Sequence, residues 1–222
     1  MAAGDKTDTL VEELGFRMED ANEDFFTKVL KLKVLNDAQL KTAQLLDRKY
    51  LSSLETSSGA KAQTSNSLTF TSLSSTIHPL NGGEGIIALR DENGSAPADW
   101  LTKVNLKDRY RFSNTLYAPG ATNKVYWVWQ ETIYTSNAGT ASSNMYVYYL
   151  KEPTTMTTDV DPVLDDGLFD IMLRFAEASL WVADDKKANY ERRDAAYSEA
   201  MEYIEYLNLL AEMTRPPSKR IR

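Results

Sequence analysis

The sequence predicts an α+β fold, in which a helical bundle core built from both chain ends carries an inserted antiparallel β domain. Three observations predict it. Residues 27 to about 54 hold neither proline nor glycine, and apolar residues recur there at three- and four-residue steps. Residues 68–149 shift to the Thr, Val, Ile, Tyr and Trp of sheets. After Pro153 helical spacing returns and lasts until Arg215-Pro216-Pro217, which stops a helix and starts an extended segment. The expected parts are N-terminal helices at 1–55, the β insertion with a long hairpin at 56–158, C-terminal helices at 159–214 and a basic tail at 215–222. No period of roughly 20–50 residues repeats, which excludes a solenoid.

Each element has a local reason. Thr9-Leu10-Val11-Glu12 matches a capping box, and Leu10, Val11, Leu14 and Met18 line one helical face behind it. Gly15 weakens this helix without breaking it. Phe25 and Phe26 open a second apolar segment, continued by the stripe Leu35, Ala38, Thr42, Leu45 and Leu46. Lys31, Lys33, Lys41, Asp47, Arg48 and Lys49 fall on its wet face. Residues 56–59 and 63–67 are polar and read as loops. Strands are expected at 68–71, 85–90, 100–104 and 109–112. The longest pair, 124–134 with 144–150, reads as a hairpin around the flexible polar loop 135–143. Val125, Trp127, Trp129 and Ile133 share one face, and Tyr126, Val128 and Tyr134 the other. Both faces are largely apolar, so both are expected to be covered. Leu168, Ile171, Met172, Phe175 and Val182 then form a helical stripe. Beyond the polar junction Asp184-Asp185, Tyr190, Tyr197, Met201, Ile204 and Leu207 form another, with Tyr203, Tyr206, Leu210 and Met213 beside it. Two stripes make a face wider than one packing partner uses.

Composition narrows the function. The 222 residues are 42% hydrophobic and 26% charged, the balance of a globular chain. No apolar run approaches the roughly 18 residues of a membrane span. The first residues, Met1-Ala2-Ala3-Gly4-Asp5-Lys6, do not read as a secretory signal. Cysteine is absent, which removes disulfides, thiol nucleophiles and thiolate metal sites, and the one histidine is His78. Net charge is −7, yet the last eight residues hold Arg215, Lys219, Arg220 and Arg222 and no acid. Taking those four charges from −7 leaves −11 on the body. An acidic body does not attract a nucleic-acid backbone, and the basic end reads as a docking segment or a solvated terminus.

The chemical motifs are weak. His78 stands before Pro79 with no Gly-x-Ser-x-Gly elsewhere to supply a nucleophile. Gly83-Glu84-Gly85-Ile86-Ile87-Ala88 fits a dinucleotide fingerprint but lacks the strand before and the helix after that the mechanism needs. Asp159, Asp161, Asp165 and Asp166 lack calcium-loop spacing and read as caps at a helix N-terminus. Tyr126, Trp127, Trp129, Tyr134, Tyr146, Tyr148 and Tyr149 are open to three readings: cross-strand packing, a subunit interface, or a sugar platform. Neither an enzyme nor a cofactor is indicated.

The order of elements resembles the head-to-tail adaptor (connector) proteins of tailed bacteriophages. Residues 10–15 and Leu35-Asn36-Asp37-Ala38-Gln39 look like the family's opening helices. Residues 146–153 followed by Met156 look like the strand leaving its β insertion. Residues 164–181, with Phe169, Ala176 and Ala178, then Asp184, Ala188 and Tyr190, look like its late helix pair. The likeness runs through most of the chain in order, and residues 81–122 depart from it. It implies a structural virion protein without enzymatic activity, assembled in the host cytoplasm as a homo-oligomeric, dodecameric ring at the neck. That ring sits beneath the portal protein, meets tail or neck proteins, and continues the DNA channel without binding the genome specifically. On this reading Arg215, Pro216, Pro217, Lys219, Arg220, Ile221 and Arg222 dock on the portal. Tyr126, Trp127, Trp129, Tyr134, Tyr203 and Tyr206 then belong to subunit interfaces. A tail-completion or stopper protein and a carbohydrate-binding virion protein are the rivals. Stoppers are usually smaller and mostly β, against which the long helices argue.

Overall fold

The first helix owes its start to a residue far along the chain. In the computed structural model, which describes residues 4–20, 22–64, 66–73, 77, 85–92, 99–110, 124–136, 144–183 and 189–214, α1 runs over Asp5–Arg17. Its free N–H groups at Lys6 and Thr7 donate to Asp161 Oδ1 at 3.0 and 3.4 Å, and Thr7 Oγ1 donates to the Val160 carbonyl. Thr9 lies inside the helix with its hydroxyl on the Asp5 carbonyl, so the capping box expected there does not form. Gly4 precedes the helix at φ 92°, and a Cβ there would fall on the Thr158 carbonyl.

The chain divides into two compact units, Met1–Leu54 with Pro153–Arg222, and Glu55–Glu152. In the helical unit, α2 (Lys28–Leu45) begins at Thr27, whose side chain accepts from the Leu30 N–H. It stops well short of residue 54. The Asn208 side chain donates to the Leu45 carbonyl at 2.9 Å and accepts from the Asp47 N–H at 2.6 Å, an end supplied from another helix. Lys31, expected on the wet face, is buried. Its ammonium lies 3.2 Å from Asp20 Oδ2 and donates to the Asp20 carbonyl at 2.8 Å, and the Asp20 carboxylate accepts the Phe25 and Phe26 N–H groups. This knot holds the turn between α1 and α2.

The amides of Asn36 and Gln39 hold the segment that returns from the β unit. Asn36 donates to the Met156 carbonyl at 3.1 Å and accepts from the Met156 N–H at 2.7 Å. Gln39 donates to the Thr154 carbonyl and accepts from the Val163 N–H. Leu35 and Ala38, on the same stretch, are buried in the core. The central helix is α3 (Phe169–Ala183), on which α1, α2 and α4 (Asn189–Met213) all pack. It buries Ile171, Met172, Leu173, Phe175, Ala176 and Leu180, so its apolar surface extends well around the helix, while Val182 is exposed. Of the expected stripe, α4 buries Ile204, and the rest of its inward face is Ala196, Ala200 and Ala211, whose small side chains let the helices approach closely. Tyr190 and Tyr197 stay exposed. Lys41 lies over both the Phe175 and Tyr197 rings, at 4.5 and 4.2 Å.

The β unit corrects the expected fold class. It is not a small antiparallel insertion on a helical bundle but a nearly closed, barrel-like sheet of seven strands in the order β1-β7-β3-β4-β5-β6-β2. The strands are β1 Glu55–Ala62, β2 Ser67–Thr69, β3 Ile86–Glu92, β4 Asp99–Lys103, β5 Val125–Trp129, β6 Thr132–Thr135 and β7 Asn144–Leu150. β4 and β5 run parallel, a pairing that hydropathy along the chain cannot announce. β1 was expected to be loop. It is an edge strand on which Ser57 is exposed, while Ser58 is buried and accepts from the Val147 N–H, and a bulge at Ser58-Gly59 takes Gly59 to φ 68°. Arg109 and Tyr110, expected in a strand, are helical, and residues 111–112 lie outside the described residues.

The long hairpin is also corrected. β7 pairs with β1 and β3, while β5 turns straight back into β6 through Gln130 and Glu131, both at positive φ. That tight reversal pairs odd with even positions. Trp127 and Trp129 therefore share a face with Tyr134, while Ile133 joins Tyr126 and Val128 on the core side. Lys124 and Asp91 form a buried ion pair of 2.8 Å within this unit.

The Asp20 knot makes the helical unit acid-sensitive. Burial works to raise the Asp20 pKa, but the two backbone N–H donors and Lys31 outweigh it and hold the carboxyl below its ordinary 3.8. A depressed folded-state pKa stabilises in full above the ordinary value and is lost as pH falls through the folded one. Urea titrations from pH 7 to 2 are expected to lose stability below about pH 4. Asp20→Asn, which strands the buried ammonium, should cost about 3–5 kcal/mol at pH 7 and flatten that pH dependence.

Candidate functional site

The longest described helix, α4, ends in a surface with no partner among the described residues. Its inward alanines settle which side faces solvent. On that side, steps of three and four residues bring Tyr203, Tyr206, Leu209 and Met213 into one stripe, with Met213 75% exposed. Tyr203 and Tyr206 stack at 6.5 Å and 16°. Exposed Glu202, Glu205 and Glu212 accompany the stripe. A contiguous apolar stripe left in water is the signature of an interaction surface. Among the sequence-derived interface residues, Tyr203 and Tyr206 thus lie on an available surface.

The helical unit exposes a second apolar set that the sequence did not flag. Phe16, Phe25 and Val29 are each at least 70% exposed. Phe25 looked like the start of a core segment. Asp20 takes the N–H groups of both Phe25 and Phe26, and this turn buries Phe26 and leaves Phe25 outside. Only the fold separates two adjacent identical side chains in this way.

The aromatic residues of β5 and β6 have different fates. Tyr126 is 2% exposed and belongs to the β core, so it is removed from the interface set. Trp127 and Tyr134 form a cross-strand stack at 5.9 Å and 8°. Trp129 is 41% exposed, tilts against Tyr134 and carries the Arg109 guanidinium 4.9 Å above its ring. Of these four, Trp129 is the exposed one.

The remaining candidates sort as follows. Residues 215–222, His78, Gly83-Glu84 and Asp184-Asp185 lie outside the described residues. Asp161 caps α1 rather than the helix that follows it, and Asp166 accepts the Lys6 ammonium at 2.6 Å. No group of acids and histidines able to hold a metal occurs among the described residues, and no described helix is long and apolar enough to cross a membrane. The charge divides unevenly: Glu55–Glu152 holds eight acidic and eight basic residues, so the whole net charge of −7 belongs to the helical unit.

These placements separate packing from presentation. Tyr126→Ala is expected to cost about 3–5 kcal/mol in a urea titration, the loss typical of a buried aromatic. Trp129→Ala should cost less than about 1 kcal/mol, because much of its surface is already wet. Equal losses at the two positions would mean that Trp129 is core.

Neither a protein-family model nor a curated protein sequence matches this chain.

Proposed function

We propose that this chain is a structural subunit of a tailed-phage neck, a head-to-tail adaptor that assembles as a ring beneath the portal. The observation that carries the reading is the exposed stripe Tyr203, Tyr206, Leu209 and Met213, which in sequence precedes the basic tail. A ring subunit needs two different surfaces, one for each neighbour, because a heterologous contact closes only head to tail. The stripe supplies one. Phe16, Phe25 and Val29 supply an apolar surface on a different part of the same unit. Twelve copies close the proposed ring. The resemblance in helix order and in the Leu35–Gln39 stretch points to the same class of protein, and that stretch has a structural task in the return-segment clamp.

The remaining features fit this role. A net-negative helical unit repels passing DNA, which suits a channel wall that must not grip the genome. The tail carries four cations, two prolines and Ile221. Proline limits the entropy lost on docking, and the arginines pair carboxylates of the portal through forked hydrogen bonds. Tail or neck proteins meet the opposite side of the ring. The role needs no catalysis and no cofactor.

Two experiments test the proposal. Sedimentation and negative-stain microscopy of the full chain with portal protein are expected to give rings. Tyr206→Ser with Leu209→Ser and Met213→Ser should abolish them while leaving thermal melting unchanged. A stable dimer both with and without portal overturns the ring. Removing residues 215–222 should leave melting intact and eliminate binding to empty, DNA-free portal; equal affinity of truncated and full-length chains overturns the docking role of the tail.

A further inference from the structure

The outer face of the β sheet carries a cleft that the adaptor reading leaves unused. Strand register sets Ser57 of β1, Tyr148 of β7 and Ala88 of β3 in one row across the sheet. Trp100 of β4 pairs with Arg90, two residues beyond Ala88 on the same face. The alternate residues Leu89, Leu101 and Val147 point to the core. Trp100 is thereby pushed outward and is 60% exposed, with its ring 5.4 Å from Tyr148 at an angle of 39°. The opening beside these rings is a cleft of about 370 Å³, bounded by Ile87 and Ala88 and, along β1, by Glu55, Thr56 and Ser57.

Its chemistry is specific in kind. The Trp100 indole N–H and the Tyr148 hydroxyl have no hydrogen-bond partner among the described residues. Ser57 Oγ accepts from the Gly59 N–H at 3.4 Å, which leaves its proton to donate. Ser57, Tyr148 and Trp100 thus set three polar hydrogens on the face that carries the flat indole. Glu55 is the one ionised group among its lining residues, and the nearby Arg90 guanidinium is spent over the Tyr146 ring at 4.7 Å. An anion finds no cation among the described lining residues. A sugar ring offers what the cleft lacks: C–H groups on one face for the indole and a rim of hydroxyls for the unspent polar groups.

We propose that this cleft binds a neutral saccharide, stacked on Trp100 and hydrogen-bonded by Tyr148 and Ser57. The sugar reading of the aromatic residues thus keeps Tyr148 of β7 and adds Trp100 of β4, which strand alternation alone did not single out. The site stands independently of ring assembly.

The test is a titration of the full chain with glucose, galactose, mannose and N-acetylglucosamine and their linear trimers, followed by saturation-transfer NMR and tryptophan fluorescence. One of these sugars is expected to saturate at millimolar concentration, the weak end of specific binding. Trp100→Ala should weaken it at least about tenfold with melting unchanged, since the side chain is largely in water. Trp100→Phe should retain part of the binding, and Trp129→Ala should bind as the unaltered chain does. Absence of saturation by every sugar up to about 20 mM overturns the proposal, as does equal binding by Trp100→Ala. Rings are scored separately by microscopy, so failure of either reading is distinguishable from failure of the other.

Discussion

The helical unit is assembled from two stretches of chain separated by about a hundred residues of sheet, so it depends on how the second stretch is seized when it returns. Asn36 and Gln39 do this on α2. Each side-chain amide presents one donor and one acceptor to backbone that has left a strand and not yet entered a helix, and whose polar groups would otherwise be stranded. Once residues 154–163 are held, Val160 and Asp161 are in place to start α1, and the chain is delivered into α3. The start of the first helix therefore requires the return of the last third of the chain. Such non-local closure is an entropic cost met only when the contacts form together.

Two buried ion pairs, one in each unit, mark where packing alone does not specify the structure. Asp20 and Lys31 tie a turn to a helix, and Asp91 and Lys124 tie β3 to the residue before β5. Pairs of this kind contribute little net stability against an apolar replacement, but each penalises every arrangement that leaves one charge alone. Asp20 has both oxygens occupied. Asp91 has one oxygen on Lys124 and the other without a hydrogen bond, so the β pair is the less completely satisfied of the two.

Both functions proposed for this chain rest on exposed surfaces. The small alanines of α4 direct its large apolar residues outward, and the tight reversal between β5 and β6 does the same for Trp129. The β unit is charge-balanced and carries the polar-rimmed cleft beside Trp100; the helical unit is acidic and carries the apolar stripes. The two proposals thus fall on different units, the saccharide on the charge-balanced one and the ring neighbours on the acidic one.

The sequence by itself determined the helical ends, the sheet-rich middle and the absence of thiol chemistry, because these rest on composition and on periodicities of 3.6 and 2 within a few turns or residues. It located β3, β4 and β5 within a few residues and marked Leu10, Leu14, Leu35 and Phe175 as core. It also displayed Tyr203 and Tyr206 as surplus apolar surface. It did not contain the strand order. The parallel pairing of β4 and β5 and the placing of β7 between β1 and β3 are choices among distant partners with similar local patterns. Polar β1 looked like loop because its strand character comes from pairing with β7, not from burial. Lys31 looked solvated because its partner lies across a turn, and the caps of α1 and the end of α2 come from Asp161 and Asn208, each more than 150 residues away. The tertiary structure alone decided that Phe26 is buried and Phe25 exposed, that Tyr126 is core and Trp100 cleft wall. Sidedness depends on which partner occupies the other side, and a periodicity is blind to partners.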